Sequence, residues 1–252
     1  MSPNLRALVL AVVLAASGGC AGASLDGLDT KLRDLSKQNS PATQAQLATL
    51  AAEAQADAKA SPDPKNRVAF YRVAAVAAWQ AGAAGESLVL LITDEGAAAC
   101  DALPAKDASA PRDCSLIRLA APLATQDALT RKLMIIQGQA GASGKLPSAQ
   151  LEPVQQLFDG LETQFDKVSG LRGGVFALDV PEDFKARTDR ERLIIYCNGV
   201  KAWSLYGDVE GAPATTFNAM AQRKKQMTDR LEADGVATDC RTIPATQSFD
   251  AT

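Results

Sequence analysis

The stretch from Asp63 to Pro104 constrains the fold more than any other, because it carries the signals for two helices with a tight turn between them. Asp63 and Pro64 are typical of a helix start, since aspartate caps the first turn and proline fits the first helical position. This helix is predicted to end near Ala81, where Gly82 suits the residue that follows a helix C-terminus. One side of the helix carries Val68, Tyr71, Ala75, Ala78 and Trp79.

The second helix of this pair follows the turn at Gly82 and Gly85. An apolar run begins at Leu88, and the helical pattern continues to about Leu103 before Pro104. Ala74, Ala77 and Ala81 on the first helix leave room for a neighbouring helix to come close. Residues 64–103 therefore predict an antiparallel helical hairpin.

Composition extends this prediction to the whole chain. Hydrophobic residues make up 47% of the sequence but aromatic residues only 5%, and alanine supplies much of the difference. Alanine is a strong helix former, whereas sheets favour β-branched and aromatic side chains. We therefore predict an all-α fold of about eight helices, packed as antiparallel hairpins. The other predicted helices cover about 25–39, 41–60, 115–139, 147–171, 181–207 and 213–233.

The helical pattern also suggests how the chain is divided. Pro122 is expected to kink or divide the helix that contains it, and the Gly/Ala/Ser-rich stretch 137–144 separates two halves, 63–140 and 146–241. The predicted organisation is a signal peptide over residues 1–19, a tether with short helices over 20–62, a helical domain over 63–241 and a disordered tail over 242–252.

The N-terminus has the layout of a secretory signal. Arg6 precedes the apolar run 7–16, and small residues lead to Cys20. The run is shorter than the roughly 20 residues that span a bilayer. We therefore predict that the chain is exported.

Gly19 and Cys20 resemble the end of a bacterial lipoprotein signal, although Ser17 stands where that family prefers leucine. The resemblance implies that Cys20 is lipidated and anchors the protein to the membrane. Because Ala21 is not the aspartate of an inner-membrane retention signal, the resemblance implies an outer-membrane lipoprotein that faces the periplasm. The alternative is cleavage between Ala23 and Ser24, which would leave a soluble periplasmic protein.

Assigning Cys20 to the signal leaves four cysteines, which allow three pairings. We predict Cys100–Cys114 and Cys197–Cys240, because the local pairing is the least demanding. A loop of the size closed by the first pair stabilises a fold by roughly 3 kcal/mol in the chain-entropy model. The absence of a Cys-x-x-Cys spacing argues against a redox or metal site.

The turn of the hairpin resembles that of a tetratricopeptide-type repeat. Trp79 stands at the aromatic position, Gly82 at the turn glycine and Ser87 at the small position of the second helix. The resemblance covers about one repeat, and the period near 34 residues that such arrays need is absent. It implies either a repeat-like or an irregular helical array.

Composition excludes the histidine-dependent catalytic chemistries. The chain has no histidine, which rules out Ser-His-Asp and Cys-His catalysis and His-containing zinc sites. A net charge of −3 gives no nucleic-acid footprint. The stretch 138–145 has the wrong spacing for a phosphate-binding loop. We therefore predict no catalytic residue, cofactor or metal.

Three functions remain open. The first is a non-enzymatic interaction or scaffold protein of the bacterial envelope, anchored by its N-terminal lipid, that binds an envelope protein or peptide. The second is a carboxylate-dependent hydrolase, which predicts that two acids such as Glu95 and Glu182 meet in a pocket. The third is a small-ligand-binding bundle, which predicts an enclosed apolar cavity.

Overall fold

Eight α-helices form the part of the chain that the computed structural model describes, residues 24–38, 40–103, 110–140, 144–173 and 182–242. The prediction of an all-α fold is confirmed. Within these ranges no helix is long and apolar enough to cross a membrane. The helices are α1 (Leu25–Ser36), α2 (Pro41–Ala60), α3 (Pro64–Gln80), α4 (Glu86–Asp101), α5 (Ala110–Gln137), α6 (Leu151–Gly173), α7 (Glu182–Gly207) and α8 (Ala214–Ala233).

Polar side chains and prolines set the first three helix starts. The hydroxyl of Ser24 accepts a hydrogen bond from the Gly27 N–H, and the hydroxyl of Ser40 accepts one from the Thr43 N–H. The Asp63 carboxylate caps α3 in the same way and accepts a hydrogen bond of 3.0 Å from the Asn66 N–H. Such bonds satisfy N–H groups that have no partner inside the helix.

The hairpin predicted over 64–103 is confirmed as α3 and α4. Gly82, at φ +59°, forms part of the turn between them, a conformation that side chains other than glycine rarely adopt. The helix α4 comes close to α3 and to α5 at Gly96, which lies against Tyr71 of α3 and Ile117 of α5. Residues 73–78 of α3 are all buried, so this helix has neighbours on every side.

The helices α1 and α2, within the segment 20–62, pack against α3. Arg72 of α3 pairs with Asp29 near the start of α1, whereas Ser36 at the end of α1 bonds to Gln80 at the end of α3. The helices α1 and α3 therefore run in the same direction. The contact face of α2 is built mainly on small residues, and its buried members include Leu50, Ala51, Ala54 and Ala58.

The helix α5 is longer than the sequence predicts. It begins at Ala110 rather than near 115, because proline at position 111 fits a first turn and Asp113 pairs with Arg72 at 3.1 Å. It also continues through Pro122 and is not divided there into two helices. Pro122 is buried among residues that pack on α3 and α4, and this packing offsets the one backbone hydrogen bond that proline removes.

The helices α6 and α7 pack against the second half of α5. The helices α6 and α7 are antiparallel, since Arg172 meets Asp189 and Ser169 meets Arg192. An isolated β-bridge between Leu146 and Val209 joins the segment before α6 to the turn after α7. The helix α8 then covers both α6 and α7.

The four cysteines lie in the two predicted pairs. The Cα atoms are 5.8 Å apart in Cys100–Cys114 and 5.5 Å apart in Cys197–Cys240. The first pair joins α4 to α5, and the second ties the turn after α8 back to α7. Cys20 lies outside the described residues, as does the predicted tail beyond residue 242.

Among the described residues Arg192 is the largest fully buried side chain, and only 1% of its surface is exposed. Its guanidinium pairs with Asp189 at 2.9 Å and with Asp234 at 2.7 Å, and it lies over the ring of Phe165. Arg172 pairs with the same two aspartates. Two cations and two anions therefore compensate one another where α6, α7 and the end of α8 meet.

We expect Arg192→Met to lower the free energy of unfolding by about 3 kcal/mol, because it leaves two partly buried carboxylates with one cation between them. Arg190→Met makes the same chemical change at an exposed position two residues away, and it should cost no more than about 0.5 kcal/mol. Urea unfolding followed by circular dichroism measures both, and equal losses would show that the buried network does not stabilise the fold.

The close contact at Gly96 gives a second prediction. A Cβ atom there would lie 2.8 Å from Ile117 Cγ2 and 3.1 Å from Tyr71 Cβ. The steric cost exceeds the gain from alanine's higher helix propensity, so Gly96→Ala should destabilise the protein by about 1–2 kcal/mol. Gly170→Ala is the control, since a Cβ atom at Gly170 meets nothing within 4 Å. The control should stabilise the protein by about 0.5–1 kcal/mol, and melting curves of the two variants should therefore shift in opposite directions.

Candidate interaction surface

Four large apolar side chains of the described residues are more than half exposed. Two of them, Leu90 and Leu91, lie on α4, and the other two, Met134 and Ile135, lie in the last turns of α5. Ile135 is the most exposed, at 63%. Exposed apolar groups are informative when they adjoin a concave surface, because such patches are typical of interaction sites.

Ile135 adjoins such a concavity, which we call the α5–α6 groove. Its volume is about 310 Å³, and it is open to solvent along one side. Ile136 and Leu157 are buried and form its floor, whereas Ile135 and Pro153 are exposed at its edges. The remaining lining residues are Leu129, Lys132 and Gln156.

Helix packing explains where the groove lies. At Gly160 the helices α5 and α6 are close together, since a Cβ atom there would be 3.1 Å from both Cδ atoms of Leu129. The groove extends from this point toward Ile136 and Pro153, the ends of the two helices that are joined by the segment 138–150. The small residue thus brings the helices together at one end, and the larger side chains line the groove beyond it.

The groove lies far from the N-terminal end of the described chain. Arg72 contacts both Asp29, near the start of α1, and Asp113, near the start of α5. Ile135 lies roughly 33 Å further along α5, at about 1.5 Å per residue. The first residues of α1 and the groove are therefore at opposite ends of α5.

The carboxylate predicted as an alternative catalytic group, Glu95, is held in a polar cluster. Lys59 Nζ lies 2.9 Å from its Oε1, and Gln55 donates a hydrogen bond of 2.7 Å to its Oε2. Partial burial acts to raise the pKa of Glu95, but the bonds from Lys59 and Gln55 outweigh it and hold the pKa below its ordinary value. Such a group stays ionised and is poorly suited to act as a general acid. Glu182 begins α7, and its side chain lies outside the described part of the structure.

Two other carboxyl groups have a raised pKa, mainly because they are buried. Asp113 pairs with Arg72, and Asp127 accepts a hydrogen bond of 2.9 Å from Trp79 Nε1. They lie roughly 21 Å apart along α5. Glycosidase carboxyl pairs are separated by roughly 5–10 Å, so these two do not form one.

A second surface groove, of about 400 Å³, lies between α6 and α8 and is lined mainly by charged residues. Arg223 pairs with Glu162 and Asp159, and Arg230 pairs with Asp166. The charges that line it are thus largely neutralised within the protein, and ion pairing between α6 and α8 accounts for this surface.

Helical spacing in the sequence puts Leu129, Leu133 and Ile136 on the apolar side of α5 and does not single out Met134 and Ile135. The sequence nevertheless indicates that part of this segment is exposed, because residues 133–136 are four consecutive apolar residues. One face of a helix cannot bury four consecutive side chains. Some of them must therefore face solvent or a further partner.

The Asp127 carboxyl gives a prediction on pH dependence. Its pKa is raised by burial, so the folded protein binds this proton more tightly than the unfolded chain does, and the free energy of unfolding falls as the pH rises above about 3.8. Asp127→Asn removes this charge and keeps an acceptor for Trp79. We expect a higher melting temperature than wild type at pH 7 and no gain at pH 3.

The control for this comparison is Asp94→Asn, at an exposed position of α4. Its melting temperature should follow that of the wild type at both pH values. A gain from Asp127→Asn that is equal at pH 3 and pH 7 would contradict the assignment to the buried charge.

Comparison of the chain with protein-family models, with curated proteins and with solved structures finds no match.

Proposed function

We propose that this protein is a membrane-anchored, non-enzymatic interaction protein of the bacterial cell envelope, and that it binds a partner protein through the α5–α6 groove. The observation that carries the proposal is the exposed apolar edge of that groove at Ile135. Burying such a side chain against a partner contributes about 1.5–3 kcal/mol.

The position of the groove supports this assignment. If the chain is anchored through Cys20, the membrane lies on the side of Ser24 and the start of α1. The groove, at the other end of α5, then points away from the membrane into the periplasm. A surface in that position can meet a protein of the periplasm or of the opposite membrane.

The rigidity of the helices that form the groove also supports the proposal that it binds a partner protein. The groove is built on two helices rather than on loops, and its floor residues Ile136 and Leu157 are part of the core. The bridge at Leu146 and Val209 fastens the segment that leads into α6. A preformed surface loses little conformational entropy on binding, which favours affinity.

Site-specific photocrosslinking in intact cells tests the proposal. The photoreactive residue p-benzoyl-phenylalanine replaces Ile135 in the full-length protein, and the control position is Gln46, which is exposed on α2. We expect a discrete adduct with a second protein from position 135 and none from position 46. Absence of any protein adduct from position 135 would contradict the proposal.

A substitution at the groove edge provides an independent measurement. Ile135→Ser should leave the melting temperature close to that of the wild type, because this side chain is exposed. Recovery of the partner identified by crosslinking should fall about 30-fold, the effect of removing about 2 kcal/mol at an interaction hot spot. Undiminished recovery would show that the groove edge is not the binding surface.

A further inference from the structure

The α5–α6 groove has the length of about two turns of helix. Along α5 it extends from Leu129 to Ile136, roughly 10 Å at 1.5 Å per residue. Along α6 it extends one turn, from Pro153 to Leu157. Two neighbouring helices with an apolar channel between them present the surface on which a third helix packs.

Lys132 is the one charged side chain among the residues that line this groove. The neighbouring cations have carboxylate partners: Arg131 lies 3.5 Å from Glu86, and Lys145 lies 3.9 Å from Asp208. No described carboxylate forms an ion pair with Lys132, whose side chain is exposed at the groove edge.

The nearest acid in the sequence of α6 is already engaged. Glu152, just before Pro153, accepts a hydrogen bond of 2.8 Å from Gln156. A carboxylate on the bound protein could therefore form an ion pair with Lys132 without displacing a carboxylate of this chain. An acidic group on the partner is attracted to this edge of the groove, and a basic group there is repelled.

The shape of the groove argues against a small molecule as its occupant. Ligand pockets enclose about 70–90% of a ligand's surface, whereas this groove is open along one side. A membrane surface is equally disfavoured, because the groove lies roughly 33 Å along α5 from the end at which the proposed anchor joins. A protein segment satisfies both the apolar floor and the open side.

We propose that the α5–α6 groove binds an amphipathic helix of another protein, whose aliphatic side chains pack over Ile136 and Leu157 and whose Asp or Glu pairs with Lys132. This inference rests on the proposed function and specifies the chemistry of the partner. The expected partner segment has aliphatic residues three and four positions apart and an acidic residue beside them, which is the pattern of a helix bound in a groove.

Charge reversal in the photocrosslinking experiment tests this inference. Lys132→Glu is combined with the photoreactive residue at position 135, one helical turn away. The controls are Lys132→Arg, which keeps the charge, and Lys167→Glu, which makes the same charge change at an exposed position of α6 that has no ion pair among the described residues. Circular dichroism and melting curves establish that each variant is folded.

We expect the adduct to fall about tenfold in Lys132→Glu and to change less than about twofold in both controls. Mass spectrometry should map the adduct to a helical segment with the expected pattern. Replacing the acidic residue of that partner segment by lysine should restore adduct formation with the Lys132→Glu variant.

Several results would overturn the inference. A protein adduct that is unchanged in Lys132→Glu, or that maps to a segment without an acidic residue, would refute the partner chemistry and leave the proposed function standing. Crosslinking to a second copy of the chain, identified by a mass twice that of the protein, would refute a heterologous partner. An adduct with lipid alone, or no adduct, would refute both the inference and the proposed function.

Discussion

The burial of α3 on every side is the constraint on which the arrangement of the other helices depends. Six consecutive residues, 73–78, are buried, and four of them are alanine. Small side chains let α1, α2, α4 and α5 all approach the same helix, since each contact needs little interaxial space. A core of this kind uses many close backbone contacts in place of large side chains, which accounts for the low aromatic content of the chain.

The length of α5 follows from this arrangement and connects it to the rest of the molecule. The helix α3 has 17 residues and α5 has 28, so α5 extends past the turn at Gly82–Gly85. Its projecting end packs against α6 and α7, where larger apolar residues replace alanine and Arg192 is compensated by two aspartates. The pair Cys197–Cys240 fastens the segment that follows α8 to this second group of helices.

The candidate interaction surface is a result of the same geometry. Beyond the α3–α4 turn, α5 has neighbours on fewer sides, and its apolar run at 133–136 is only partly covered. The residues that face inward, Leu133 and Ile136, are core, whereas Met134 and Ile135 remain exposed. Lys132, unlike Arg131 beside it, has no carboxylate partner in the described structure. An apolar floor with a single uncompensated charge at its edge is a surface that selects partners by both shape and charge.

The sequence by itself determined the helical class, the starts of α2 and α3 and the α3–α4 hairpin, because capping residues, prolines, turn glycines and apolar spacing act over a few residues. It also indicated the cysteine pairs. Only the tertiary structure decided that α5 continues through Pro122 and that Glu95 is bound by Lys59. Only the tertiary structure decided which apolar residues of 133–136 are covered. These outcomes depend on contacts between residues far apart in the chain, and a local run of apolar residues does not specify which of its members a neighbouring helix will cover.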